Sequence, residues 1–155
     1  MKQFLMIVLA VLMTGTVGAQ DNKINGLPIK LGDSIEKVKA ALDTAIEPEE
    51  SKSAVQSNTK ALRLKTRGIW VFFDQEGRTY DIRLDAPFAG DVAGVQIGQS
   101  RSLLVEKLGN PAKILKGMAI DSNQADPYLY HIDDLTTVRF DFDQDDAIAT
   151  IYILK

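Results

Sequence analysis

The chain reads as an α+β protein made of two tandem units, each one helix followed by a three-stranded antiparallel meander. Three observations predict this. The stretches IKLGDSIEKVKAALD (Ile29–Asp43) and VQIGQSRSLLVEKLGNP (Val95–Pro111) share a Gly-x-Ser opening ahead of a helical apolar stripe. Each is followed by short runs that alternate apolar and polar residues, the signature of half-buried strands. The turn Phe73-Asp74-Gln75 returns as Phe142-Asp143-Gln144, with Ile82 and Leu84 matched by Ile151 and Ile153. Repetition in a fixed order implies a duplicated module. The units are residues 24–87 and 91–155, joined by Phe88-Ala89-Gly90.

Residues 1–19 are set apart from the fold. Lys2 is a positive start, Phe4–Met13 an apolar run, and Val17-Gly18-Ala19 a small-residue cleavage site, the pattern of a secretory signal peptide. The run is shorter than the roughly twenty apolar residues that span a bilayer. The expectation is export to a periplasm, cleavage near Ala19 and no stable membrane anchor afterwards. The 136 residues after Ala19 suffice for one ordinary domain or two very small ones.

In the first unit, Ile35, Val38, Leu42 and then Ala45 or Ile46 recur at helical spacing. Asp33 with Glu36 reads as a capping box. The acidic, Ser-rich stretch Glu47–Asn58 lacks an apolar period and reads as a loop. Leu62 and Leu64 belong to a strand, Ile69–Phe73 to another, Asp74–Gly77 to a turn. Tyr80, Ile82 and Leu84 then alternate with Thr79, Asp81 and Arg83. The second unit follows the same order. A helix spans Ser100–Leu108, with Gly109 as its left-handed terminator and Pro111 barring continuation. A loop covers Gly117–Pro127, Tyr128–Ile132 is a strand and Asp133-Asp134 a turn. Val138, Phe140 and Phe142 alternate with Thr137, Arg139 and Asp141. After the turn Asp143–Asp146, Ala149, Ile151 and Ile153 line the last strand.

The sequence carries 18 Lys and Arg against 21 Asp and Glu, and no cysteine. Disulfides, a lipobox and cysteine metal sites are excluded. From Gln20 to Gly90 acids and bases balance at eleven each, whereas Asp91–Lys155 has ten acids and six bases. Nucleic acid is a poor partner for such a surface. A cationic protein suits the C-terminal half better.

No catalytic motif is present. His131 is the only histidine, and Ser34 and Ser100 stand where helix caps are needed. Gly-rich phosphate loops and a Gly-x-Ser-x-Gly stretch do not occur, and no cofactor is expected. Asp141-x-Asp143-x-Asp145 has the opening of a calcium loop. Asp146 and Tyr152 occupy the places of its glycine and its bidentate glutamate, so a hairpin turn explains the run better.

Strand parity singles out the surface. If Val138, Phe140 and Phe142 face the core, Arg139 and Asp141 face away, and Trp70 and Phe72 take the corresponding side in the first unit. Two large aromatics there form either a binding patch or an inter-unit seam. The same parity puts Leu129, His131, Ile148 and Tyr152 on the outer face of the second unit. Asp133, Asp134, Asp145 and Asp146 supply an acidic rim able to steer a basic partner.

The motif Gly98-x-Ser100…Leu104…Leu108-Gly109-Asn110-Pro111 resembles the small outer-membrane assembly lipoproteins. The doubled arrangement resembles the secreted β-lactamase inhibitor proteins, which carry two such units. The lipoprotein's acylated cysteine and the inhibitors' disulfides are missing here. The resemblance implies protein binding through an open sheet face. It points to a non-enzymatic periplasmic inhibitor, an immunity protein that occludes a secreted antibacterial enzyme toxin. The alternatives are an envelope or outer-membrane assembly factor using the same surface, and a small hydrolase built on paired carboxylates.

Overall fold

The computed structural model describes residues 23–51 and 59–155; the signal-peptide reading of residues 1–19 lies outside them. The described elements, in order, are β1 (Ile24–Asn25), α1 (Ile35–Ala41), β2 (Glu49–Ser51), β3 (Thr59–Leu64), a 3-10 turn at Lys65–Arg67, β4 (Ile69–Phe73), β5 (Thr79–Asp85), β6 (Asp91–Val92), α2 (Arg101–Leu108), β7 (Lys113–Ile114), β8 (Tyr128–His131), β9 (Thr137–Phe142) and β10 (Ile148–Leu154). Eight strands form one antiparallel sheet in the order β2-β3-β4-β5-β10-β9-β8-β7, and β1 pairs with β6 in a separate two-stranded sheet.

This corrects the expectation of two tandem helix-plus-three-strand units. The fold is α+β but dominated by the sheet, with two short helices among the described residues. β5 and β10 pair from Asp81↔Leu154 to Asp85↔Thr150. Neither strand is left as an edge with unpaired backbone groups. One hydrophobic cluster runs through both parts of the chain, taking Val71, Phe73, Ile82 and Leu84 together with Val138, Phe140, Ile151 and Ile153. Both helices turn their buried residues to it: Val38 from α1, Leu104 from α2, and Leu42 at the C-cap of α1. Four strands were also unforeseen, among them β1 and β6, which pair with each other. Of the other two, β2 arises within the expected Glu47–Asn58 loop and β7 beyond Pro111, and both are short edges that bury no apolar residue. Residues 52–58 lie outside the described part.

Local signals explain the ends of the helices. Ser34 and Ser100 are the N-caps, their Oγ atoms accepting from the N–H of Lys37 (3.3 Å) and Leu103 (3.2 Å). The expected Asp33–Glu36 capping box does not form. The nearly buried Asp33 carboxylate accepts instead from the Lys30 N–H at 2.9 Å and pairs with Lys37 Nζ at 2.6 Å. The stripe of α1 ends at Leu42, and Ile46 is 51% exposed. Gly109 ends α2 with φ +77°, a conformation costly for any residue with a Cβ.

The two aspartate turns are built alike. Asp74 Oδ1 accepts from the N–H groups of Glu76 and Arg78, and Asp143 Oδ1 accepts from those of Asp145 and Ala147. Each turn is followed by a bulge. Phe73 pairs with Thr79 while Phe72 pairs with Asp81, and Phe142 pairs with Ile148 while Asp141 pairs with Thr150. The extra residues are Tyr80 and Ala149, so Thr79 and Ile148 take the buried side. The assignments of Tyr80 and Ala149 to the core, and of Ile148 to the outer face, are corrected accordingly. Phe88-Ala89-Gly90 is packed rather than a free linker: Phe88 is buried, and a Cβ on Gly90 would lie 2.0 Å from the Asn25 carbonyl oxygen.

Candidate functional site

With the core on one side of the sheet, alternate residues of β3, β4, β5, β10, β9 and β8 face the other way. Cross-strand register places them in a row: Arg63↔Trp70, Trp70↔Arg83, Arg83↔Tyr152, Tyr152↔Arg139, Arg139↔Leu129. Guanidinium groups and rings alternate along it. Arg63 and Arg83 lie 5.5 and 5.2 Å from the Trp70 ring centre, Arg83 and Arg139 5.8 and 5.1 Å from that of Tyr152. A cation over an aromatic face is attracted by the ring quadrupole, more strongly where water is partly excluded. A second row beside it runs Ala61, Phe72, Asp81, Leu154, Thr137, His131.

Each arginine of the first row has its own acid. Arg63 pairs with Glu49 at 3.1 Å and Arg83 with Asp85 at 2.9 Å. Arg139 grips both oxygens of the nearly buried Asp141 through Nε and Nη2, each at 2.6 Å, the fork geometry that favours arginine. Thr150 Oγ1 also donates to Asp85, at 2.8 Å. Burial disfavours the Arg83 charge, yet the Asp85 hydrogen bond and the nearby Tyr152, Asp85 and Asp141 outweigh it and hold its pKa above the ordinary value. Burial lifts the Tyr152 phenol as well, against the pull of Arg83 and Arg139.

Asp81 is different. It is largely buried, and its Oδ1 has no hydrogen-bond partner. Burial pushes its carboxyl up to about 6, and the charges of Arg139 and Arg83 only partly oppose this. Beside Trp70 at the β2–β3 edge lies a shallow hollow of about 460 Å³, walled by Ile46, Glu49, Ala61 and Arg63.

Among the residues singled out by sequence, Trp70, Phe72, Leu129, Arg139 and Tyr152 are partly exposed on the outer face and His131 is exposed there. Trp70 sits between two arginines rather than in a closed seam, and His131 Nδ1 lies 3.0 Å from Thr137 Oγ1. Ile148 is buried on the core side. The acidic rim does not form one cluster. Asp133 and Asp134 occupy the turn before β9, and Asp145 and Asp146 the turn after it. A six-residue strand separates these turns by about 20 Å. Asp133 accepts from the Leu135 N–H, which holds its carboxyl below the usual range. Asp146 pairs with Arg101 at 2.9 Å. Among the described residues, no three His, Asp or Glu side chains gather as a metal-binding group.

Sequence reasoning missed Arg63, Arg83 and Asp81 as site residues. Parity already turned Asp81 and Arg83 outward. What it could not supply was the β5–β10 pairing that sets Arg83 against Tyr152 and Asp81 against Leu154.

No protein-family model matches the chain, and no curated protein matches it. Among solved structures, the chain is similar to a DUF4309 family protein, YjgB, from Bacillus subtilis subsp. subtilis str. 168. The two are 15% identical, with a TM-score of 0.53, over 84% of this chain and 82% of that one. At that identity the likeness concerns the fold alone.

Proposed function

We propose that the protein is a periplasmic protein-binding inhibitor, an immunity protein that occludes a secreted antibacterial enzyme toxin with the open face of its sheet. One observation carries the reading: Trp70, Phe72 and Tyr152 lie partly exposed on one sheet face, interleaved with Arg63, Arg83 and Arg139. Tyr, Trp and Arg are the side chains most enriched at binding hot spots, and rings held in a fixed row lose little conformational entropy on docking. The arginines are matched by Glu49, Asp85 and Asp141. Asp81 therefore leaves the centre of the face with a negative charge, which suits a cationic partner. The signal-peptide pattern of residues 1–19 and the resemblance of the Gly98–Pro111 motif to exported binding proteins supply the compartment and the class.

The test is capture from envelope extract with the intact protein, compared with Trp70→Ala and with Lys107→Ala on α2. Captured protein that is lost with Trp70→Ala, is kept with Lys107→Ala, and whose enzymatic activity the wild type inhibits supports the reading. Equal capture by all three contradicts it.

A further inference from the structure

We infer that an opening at one end of the hydrophobic core is a binding site for a single acyl chain ended by an anion, a free fatty acid or a single-chain acidic lipid. The inference goes beyond the docking reading. It concerns the core side of the sheet and rests on none of the residues of the open face.

The opening has a volume of about 930 Å³ and lies between the segment 24–32, the start of β5, the end of β10 and the β8–β9 turn. Its floor is the core itself, with Ile29, Ile82 and Ile153 all buried. Its sides are apolar residues that water reaches. Ile24 and Leu31 are partly exposed, Pro28 is exposed, and Leu135 on the β8–β9 turn is 76% exposed. Apolar side chains around an open volume favour an occupant with few polar groups of its own. A peptide fits poorly. It would bring N–H and C=O groups, whereas β5, β10 and β9 are each paired on both sides and have no free backbone edge to offer. A linear hydrocarbon chain brings no such groups.

The charges select the head. Lys23, Lys30, Arg78 and Lys155 line the opening, against Asp74, Glu76 and Asp133. Asp74 and Asp133 accept from backbone N–H groups of their own turns, and Lys23 donates to the Ile132 carbonyl oxygen. The ion pairs among the described residues leave out Lys30, Arg78 and Lys155, and all three are exposed. They come from separate parts of the chain. The Gly32 N–H donates to the Thr79 carbonyl oxygen at 2.7 Å, which sets the segment of Lys30 beside that of Arg78. Lys155 follows Leu154, which pairs with Asp81 and Thr137. Unpaired cations beside an apolar opening match an anion carried on a hydrocarbon chain.

The experiment uses the whole protein and defined probes. Isotope-labelled protein is titrated at pH 7.5 with octanoate, decanoate and dodecanoate below their micellar concentrations, with neutral decanol, and with dodecanoyl lysophosphatidylglycerol. Saturable resonance shifts are expected at Leu31, Leu135 and Ile153, with affinity rising about fourfold per added methylene. Decanol should bind about tenfold more weakly than decanoate. Lys30→Gln combined with Arg78→Gln should bring decanoate down to the affinity of decanol and leave decanol unchanged, which separates loss of charge from loss of the fold. Leu135→Asp, at an exposed position, should weaken every probe. Binding of the carboxylates, of the lysolipid or of both supports the site, and the tighter class identifies the source of the chain. Affinity independent of chain length, equal binding of decanol and decanoate, full decanoate affinity in the double variant, shifts away from the opening, or no saturable binding overturns the inference. Trp70→Ala should bind decanoate like the wild type, so failure of the docking reading leaves this site standing.

Discussion

The two sides of the open sheet face carry the same kinds of side chain in exchanged places. On one side the ring is on β4 and the guanidinium on β5, Trp70 against Arg83; on the other the guanidinium is on β9 and the ring on β10, Arg139 against Tyr152. The acids differ. Arg139 holds Asp141 at two points, and that carboxylate is nearly buried. Arg83 holds a more accessible Asp85, which Thr150 also serves, while its strand-mate Asp81 is left unsatisfied. The β9 side is complete in itself, and the β5 side is one donor short. An internally satisfied polar cluster rigidifies a surface, whereas an unpaired buried carboxylate costs stability while it is charged.

The most forceful way to break this comparison is to remove each arginine. Arg139→Ala leaves Asp141 nearly buried and without its counter-ion, and a loss of about 3 kcal/mol is expected. Arg83→Ala leaves Asp85 with Thr150 and partial solvation, with an expected loss of about 1 kcal/mol. Urea unfolding of the two variants measures both, and equal losses would erase the distinction between the sides.

Asp81→Asn sharpens the comparison in the opposite direction. The Asp81 carboxyl titrates at about 6 in the folded chain, above the ordinary 3.8. Between about pH 4 and 6 the folded state keeps a proton that the unfolded chain has released. This contribution to stability is therefore fully present at low pH and is lost as pH rises through 6. The variant should exceed the wild type by about 2 kcal/mol at pH 7.5, and the gap should close below pH 4. A gap of constant size across that range would deny the buried charge.

A smaller contrast lies in the two aspartate turns. Gly77 and Asp146 hold the same left-handed position, at φ +71° and +62°. Gly77→Ala should cost about 1 kcal/mol, whereas Asp146→Gly should be close to neutral, with backbone relief of about 1 kcal/mol offset by loss of the Arg101 pair. Thermal unfolding of both variants checks the pair. The smallest effect belongs to the edge of the row. Arg63→Ala removes a pair with an exposed Glu49 and should change stability by about 0.5 kcal/mol, measurable in the same urea series.

Much of this face was legible in the sequence because strand side chains alternate with a period of two. That rule alone placed Trp70, Phe72, Arg139, Asp141 and Tyr152 on one side. It failed at Ile148 and Tyr80, where a bulge inserts one residue and reverses parity locally. β2 and β7 were invisible because their pairing is made by backbone groups at exposed edges, with no apolar alternation to mark it. The continuous sheet was misread as two units because repetition along a chain does not say whether the copies remain separate or pair through their last strands. The enclosed, unpartnered oxygen of Asp81 depends on that β5–β10 junction, so it became visible only with the three-dimensional register.

The docking role of the open face is tested most directly by site-specific photo-crosslinking in the envelope. A benzoyl-phenylalanine replaces Phe72 on the open face or Lys107 on α2. The account predicts a discrete protein adduct from position 72 and none from position 107. Adducts from position 107 alone, or from both positions alike, would contradict it.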